Sequence, residues 1–150
     1  MPPLKERLRA DLTTAMKARD ELRTATLRMV LSAVSAEEVA GKEARELTDD
    51  EVQAVLRREA KKRREAAEAF GSAGRVEQAA REQAEGEVLA DYLPAQLDDA
   101  DLAAMVADAV TTTGASGMKD MGRVMGVLQA AVAGRADGGR VAAEVRRQLG

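Results

Sequence analysis

Lys119, Gly122, Arg123 and Gly126 combine two cations with two glycines at helical spacing. Lys119 and Arg123 stand four apart on one face, near the start of a helix, where free amides favour an anion. Gly122 and Gly126 are also four apart, and each costs up to about 1 kcal/mol against alanine inside a helix. That cost implies a close approach, either by a neighbouring helix or by the backbone of a ligand. A phosphate suits the cation pair; the alternative is that the glycines admit a helix and the charges are solvated. Further on, Gly134-Arg135-Ala136-Asp137-Gly138 reads as a turn whose aspartate caps the next helix. Arg135 then sits beside a second helix start, and Arg140 follows within that helix, so a second phosphate contact is conceivable.

The other cationic feature is the run Arg57-Arg58 and Lys61-Lys62-Arg63-Arg64. On a helix, Arg57, Lys61 and Arg64 form one strip and Arg58 and Lys62 the next. Such a strip neutralises phosphates and gives salt-dependent RNA binding. The competing reading is a solvated face laced with pairs such as Arg58–Glu65 or Arg64–Glu68. Glu59 and Arg63 interrupt the apolar stripe of Val52, Leu56, Ala66, Ala67 and Phe70. They suggest a partly buried ion pair, with Arg28 or Arg23 nearby, that specifies packing.

What is missing bounds the chemistry. The sequence has no histidine and no cysteine, so the usual general base, the commonest metal ligand and thiolate chemistry are all absent. It contains no GxxxxGK[ST], HExxH, CxxC or GxSxG pattern. Ser116 lies three residues before Lys119, a spacing common by chance at a helix start. No catalytic residue, metal or cofactor is indicated. With one phenylalanine and one tyrosine, stacking on bases would contribute little to any RNA contact.

Helices must position these residues. Strong helix formers dominate, and no alternating β-branched run suggests a sheet. The spacing predicts seven helices: about Leu4–Arg19, Asp20–Ala40, Thr48–Phe70, Arg75–Tyr92, Asp98–Val110, Lys119–Ala133, and one after Asp137. The first buries Leu4, Leu8, Leu12, Ala15 and Met16. Thr48 with Glu51 is a capping box, and Pro94 stops the fourth helix. Thr111 to Gly117 reads as a loop. The methionines, Met16 and Met118 among them, read as core filling. The expected fold is all-α, with an N-terminal four-helix domain over residues 1–94 and a C-terminal three-helix bundle over 95–150.

The net charge is −3 and neither half carries a marked excess, so only the distribution of charge bears on an RNA partner. No apolar run is long enough to cross a membrane, and the first residues lack the apolar stretch of a signal peptide. A cytoplasmic location is expected.

Thr26-Leu27-Arg28-Met29-Val30-Leu31, Ala69-Phe70 through Ala73-Gly74-Arg75, and Tyr92-Leu93-Pro94-Ala95-Gln96-Leu97 resemble the YqeY family. So do Gly114-Ala115, Lys119 through Gly126, and Gly134-Arg135-Ala136-Asp137-Gly138. The resemblance covers nearly the whole chain in order. It implies that the last 50 or so residues are similar to the tail of the B subunit of the tRNA-dependent amidotransferase (GatB), which contacts tRNA. Activation and amide transfer belong to other domains of that enzyme, without counterpart here. The expected function is therefore a non-catalytic module that binds tRNA, or a tRNA-containing complex, through phosphates. The alternatives are an adaptor for an amidotransferase or other translation protein, and an accessory subunit in glutamine-dependent amide transfer by a carbon–nitrogen ligase.

Overall fold

The computed structural model describes residues 2–150. Among these residues the chain forms seven α-helices and one 3₁₀ turn, with no strand. The helices are α1 (Leu4–Lys17), α2 (Glu21–Glu38), α3 (Asp49–Ser72), α4 (Val76–Ala90), α5 (Asp99–Thr113), α6 (Met121–Val132) and α7 (Gly138–Leu149). The 3₁₀ turn, Met118–Asp120, leads into α6. None of the described helices is long and apolar enough to cross a membrane. Packing divides the chain into two compact units, one ending at Leu93 and the other spanning Pro94–Gly150.

Local chemistry sets most helix starts. The Asp20 carboxylate accepts from the Arg23 amide, Asp98 from Asp101, and Asp137 from Arg140. Thr48 and Glu51 satisfy each other's backbone amides in a full capping box at α3. Gly114 ends α5 in the left-handed region, φ 68°, where a side chain would be strained. That glycine, rather than the threonines before it, stops the helix. Thr111–Thr113, expected in a loop, are therefore helical, and the Thr113 hydroxyl is satisfied by the Ala109 carbonyl at 2.8 Å.

The core of the first unit is aliphatic: Leu8, Leu27, Val30, Val34, Val52, Leu56 and Leu89 have no exposed surface. Each such side chain contributes about 1.5–3 kcal/mol relative to exposure. Leu4, Leu8 and Ala15 of α1 face this core, but Met16, expected with them, is 48% exposed. Helical geometry explains the difference: 4, 8 and 15 share one face, and 16 lies about 100° round the helix from 15. Tyr92 closes the end of α4. Its hydroxyl donates to the Asp11 carboxylate on α1, and the Arg7 guanidinium lies 5.7 Å from its ring centre. Burial, then the Asp11 carboxylate, pushes the Tyr92 phenol up to about 12. Arg23, beside the Tyr92 oxygen and 3.2 Å from Asp91, is raised.

α3 and α4 form a long hairpin, and its outer half contains little buried surface. The last buried residue of α3 is Glu59, and the first of α4 is Val88. The anticipated Glu59–Arg63 pair does not form. Arg63 turns to α4, 3.3 Å from Glu82 and 3.5 Å from Glu85, and Glu59 is 3.6 Å from Lys62. The two helices approach closely here, with a Cβ at Gly86 only 3.8 Å from that of Arg63. Two carboxylates across this contact outbid the single one on the same helix. Arg23 and Arg28 take no part: Arg23 reaches Asp91, and Arg28 donates to the Met16 sulfur at 3.7 Å.

The second unit is a three-helix bundle around Val106, Val124, Leu128 and Val145. Its hydrophobic partners include Met105, Met121 and Met125, whereas Met118 is 46% exposed and not core filling.

Candidate nucleic-acid interface

The start of α6 is organised by one carboxylate. Asp120 accepts the Ser116 amide at 3.0 Å on one oxygen and Arg123 Nη2 at 3.0 Å on the other. The Ser116 amide first, then the nearby positive charges of Arg123 and Lys119, hold Asp120 below its ordinary value. Asp120 thus already does locally what an incoming anion would do, taking an amide and a cation at a helix start. Arg123 remains 57% exposed, and Lys119 is exposed with no ion pair among the described residues.

Gly122 and Gly126 lie on the exposed side of α6, and a Cβ added at either meets nothing within 4 Å. Within the second unit no neighbouring helix packs against either glycine among the described residues. The core is filled instead from the opposite face, by Val124, Leu128 and Val132. The glycines leave bare backbone beside Lys119 and Arg123. Met118, in the 3₁₀ turn, and Val127, on α6, are 46% and 42% exposed.

Arg135 and Arg140 are not brought to this place. Arg135 folds back on the end of α6, donating to the carbonyls of Val132 at 3.2 Å and Ala131 at 3.0 Å. A cation there complements the negative end of the helix. Twelve residues of helix put this end about 18 Å from the beginning of α6. Arg140 reaches the Leu97 carbonyl at 3.0 Å and Asp99 at 3.1 Å. With the Leu97 amide on the Arg135 carbonyl at 2.8 Å, the two arginines clamp the segment before α5 to the α6–α7 turn. Sequence spacing places them at a helix start but carries no sign of the carbonyls they satisfy.

The basic run on α3 is largely neutralised. Arg58 pairs with Glu37 at 3.3 Å, Lys61 with Glu65 at 3.9 Å and Lys62 with Glu59. Arg64 is exposed, and Arg57 is half-buried without an ion pair among the described residues. An open groove between the outer ends of α3 and α4, lined by Phe70, Glu77, Gln78, Arg81 and Glu82, offers no nucleophile. No group of three or more Asp or Glu residues among the described residues is placed to hold a metal.

The chain matches the family described as Yqey-like protein over residues 5–149. It belongs to the YqeY family. That match spans α1 to α7, so the capped helices, the Asp120 arrangement and the open α6 glycines all lie within family sequence. No curated protein matches the chain.

Proposed function

We propose that this YqeY-family chain is a non-catalytic RNA-binding module of translation, taking tRNA or a tRNA-containing complex through its phosphates. Likeness of the second unit to the GatB tail is part of this proposal, as is a cytoplasmic setting. One observation carries it: Lys119 and Arg123 stand exposed beside bare backbone at Gly122 and Gly126. A phosphate can approach the α6 backbone there without meeting a side chain and gain two charge-assisted contacts. Arg135 satisfies carbonyls at the far end of α6 and Arg140 that of Leu97, and neither is part of this site. The paired run on α3 contributes less than its charge suggests. Phe70 and Tyr92 are half-buried and buried, so recognition goes through shape and charge.

Fluorescence anisotropy with unfractionated tRNA tests this. Lys119→Glu/Arg123→Glu should lower affinity at least tenfold at 0.1 M salt, about 1.4 kcal/mol. Unchanged affinity would show that the site lies elsewhere. A second reading, docking of a helix from a translation protein, is favoured by the exposed side chains of Met118 and Val127. A nuclease-resistant stoichiometric complex, lost on Val127→Glu but indifferent to tRNA, would select it. Assistance to amide transfer in trans predicts a changed amidation rate when the chain is added to a reconstituted amidotransferase.

A further inference from the structure

Arg9 and Arg28 flank the seam of α1 and α2, and Lys17 and Arg19 stand at the end of α1. α1 and α2 run antiparallel, with rungs at both ends. Lys5 Nζ lies 2.7 Å from Glu38, and Arg28 Nη2 donates to the Met16 sulfur. Lys5, Arg9, Leu12 and Met16 follow one another at spacings of four, three and four, which is one face of a helix. Arg9 therefore sits between the rungs, close enough to Glu38 to lower its carboxyl, after the larger effect of Lys5. Lys17 ends α1 beside Met16, and Arg19 follows it.

Arg9, Lys17, Arg19 and Arg28 are all exposed, and none has an ion-pair partner among the described residues. The contrast with α3 is direct: there Arg58, Lys61, Lys62 and Arg63 all face carboxylates. Asp20, which follows Arg19, is engaged in capping α2, and Glu21 starts that helix. Arg19 also occupies a left-handed position, φ 57°, just past the end of α1, where glycine would fit without strain. The guanidinium of Arg28 rests on a thioether, a weak acceptor that leaves its charge uncompensated.

We infer that the α1–α2 seam is a second polyanion-binding surface, and that its ligand is an RNA backbone. Arg9 and Met16, next to Arg28, are seven residues apart, about 10 Å along α1. A row of cations over that span matches more than one phosphate along a strand. The inference rests on the RNA reading of the protein but uses other residues, in the other unit, so the two can fail separately.

The test is tRNA binding by the full chain across a salt series. Arg9→Gln/Lys17→Gln/Arg28→Gln should make the slope of log affinity against log salt shallower by about 2–3, at roughly 0.9 per lost phosphate contact. At 0.1 M salt, affinity should fall about a hundredfold. The comparison variant, Arg58→Gln/Lys62→Gln/Arg81→Gln, removes the same charge from cations already paired with carboxylates. It should change the slope by less than one. Circular dichroism confirms that both variants keep their helices.

Equal slopes for the two triples would overturn the inference, because total charge alone would then explain the effect. An unchanged slope for the seam triple, while the wild type binds, would overturn the seam and leave the α6 site standing. A seam triple that loses binding of a synthetic glutamate-rich helical peptide but keeps that of tRNA would assign the seam to protein instead. Absence of tRNA binding by the wild type would remove both the seam and the α6 proposal.

Discussion

Gly126→Ala separates what α6 needs for folding from what it needs for binding. Gly126 lies in the interior of α6, its φ is not positive, and a Cβ there meets nothing within 4 Å. The methyl group therefore enters open space. Its only folding effect is to remove the entropic penalty of glycine, worth about 1 kcal/mol in a helix interior. For a unit the size of Pro94–Gly150, 1 kcal/mol corresponds to a rise in Tm of about 4–8 °C. Differential scanning calorimetry, supported by urea unfolding, reads this directly. The same methyl stands between an approaching phosphate and the backbone, so tRNA affinity should fall as stability rises. A lower Tm would refute the reasoning, because it would mean that something in the fold packs against Gly126. A higher Tm with undiminished affinity would remove the glycines from the binding site.

Tyr92→Phe should destabilise the first unit by about 1–2 kcal/mol, since it deprives the Asp11 carboxylate of its donor in a part-buried place; denaturant unfolding measures this, and no loss would make the contact incidental. Thr48→Ala removes half of the capping box and should cost about 1 kcal/mol in the same assay. Glu51 is held at about 2 by the Arg45 guanidinium, and then by the Thr48 amide, against an ordinary 4.5. Its stabilisation is therefore complete above pH 4.5 and is lost as the pH falls toward 2. Acid unfolding followed by circular dichroism should show a shallower dependence in that window for Glu51→Gln; an unchanged profile would contradict the pairing.

Much of the architecture is legible in residue types because the helix boundaries are chemical. Thr48 with Glu51, Asp98, Asp137 and Pro94 announce themselves at fixed offsets from the apolar stripes they precede or end. The start of α6 is legible in part: Arg123 lies in its first turn, whereas Lys119, read as helical, falls in the 3₁₀ turn that leads into it. Partnerships across elements are not legible. Arg63 prefers Glu82 and Glu85 on a helix more than fifteen residues away, and no local spacing reveals that choice. Arg135 and Arg140 read as cations at a helix start because their carbonyl acceptors are backbone atoms, which every residue has. Met16 lies one residue, about 100° of helix, past buried Ala15, enough to carry a side chain from core to surface. The seam cations were hidden for the opposite reason. Arg9, Lys17, Arg19 and Arg28 form no run, and only the antiparallel return of α2 brings Arg28 alongside α1.

The proposed recognition depends most on tRNA phosphates meeting the exposed face at the beginning of α6. Amide chemical-shift mapping of the full chain during titration with unfractionated tRNA tests this most directly. The largest changes in the second unit should fall on Lys119, Gly122, Arg123 and Gly126, and should fade as salt is raised. Shifts confined to the α3 run, or no saturable shift anywhere along α6, would contradict it.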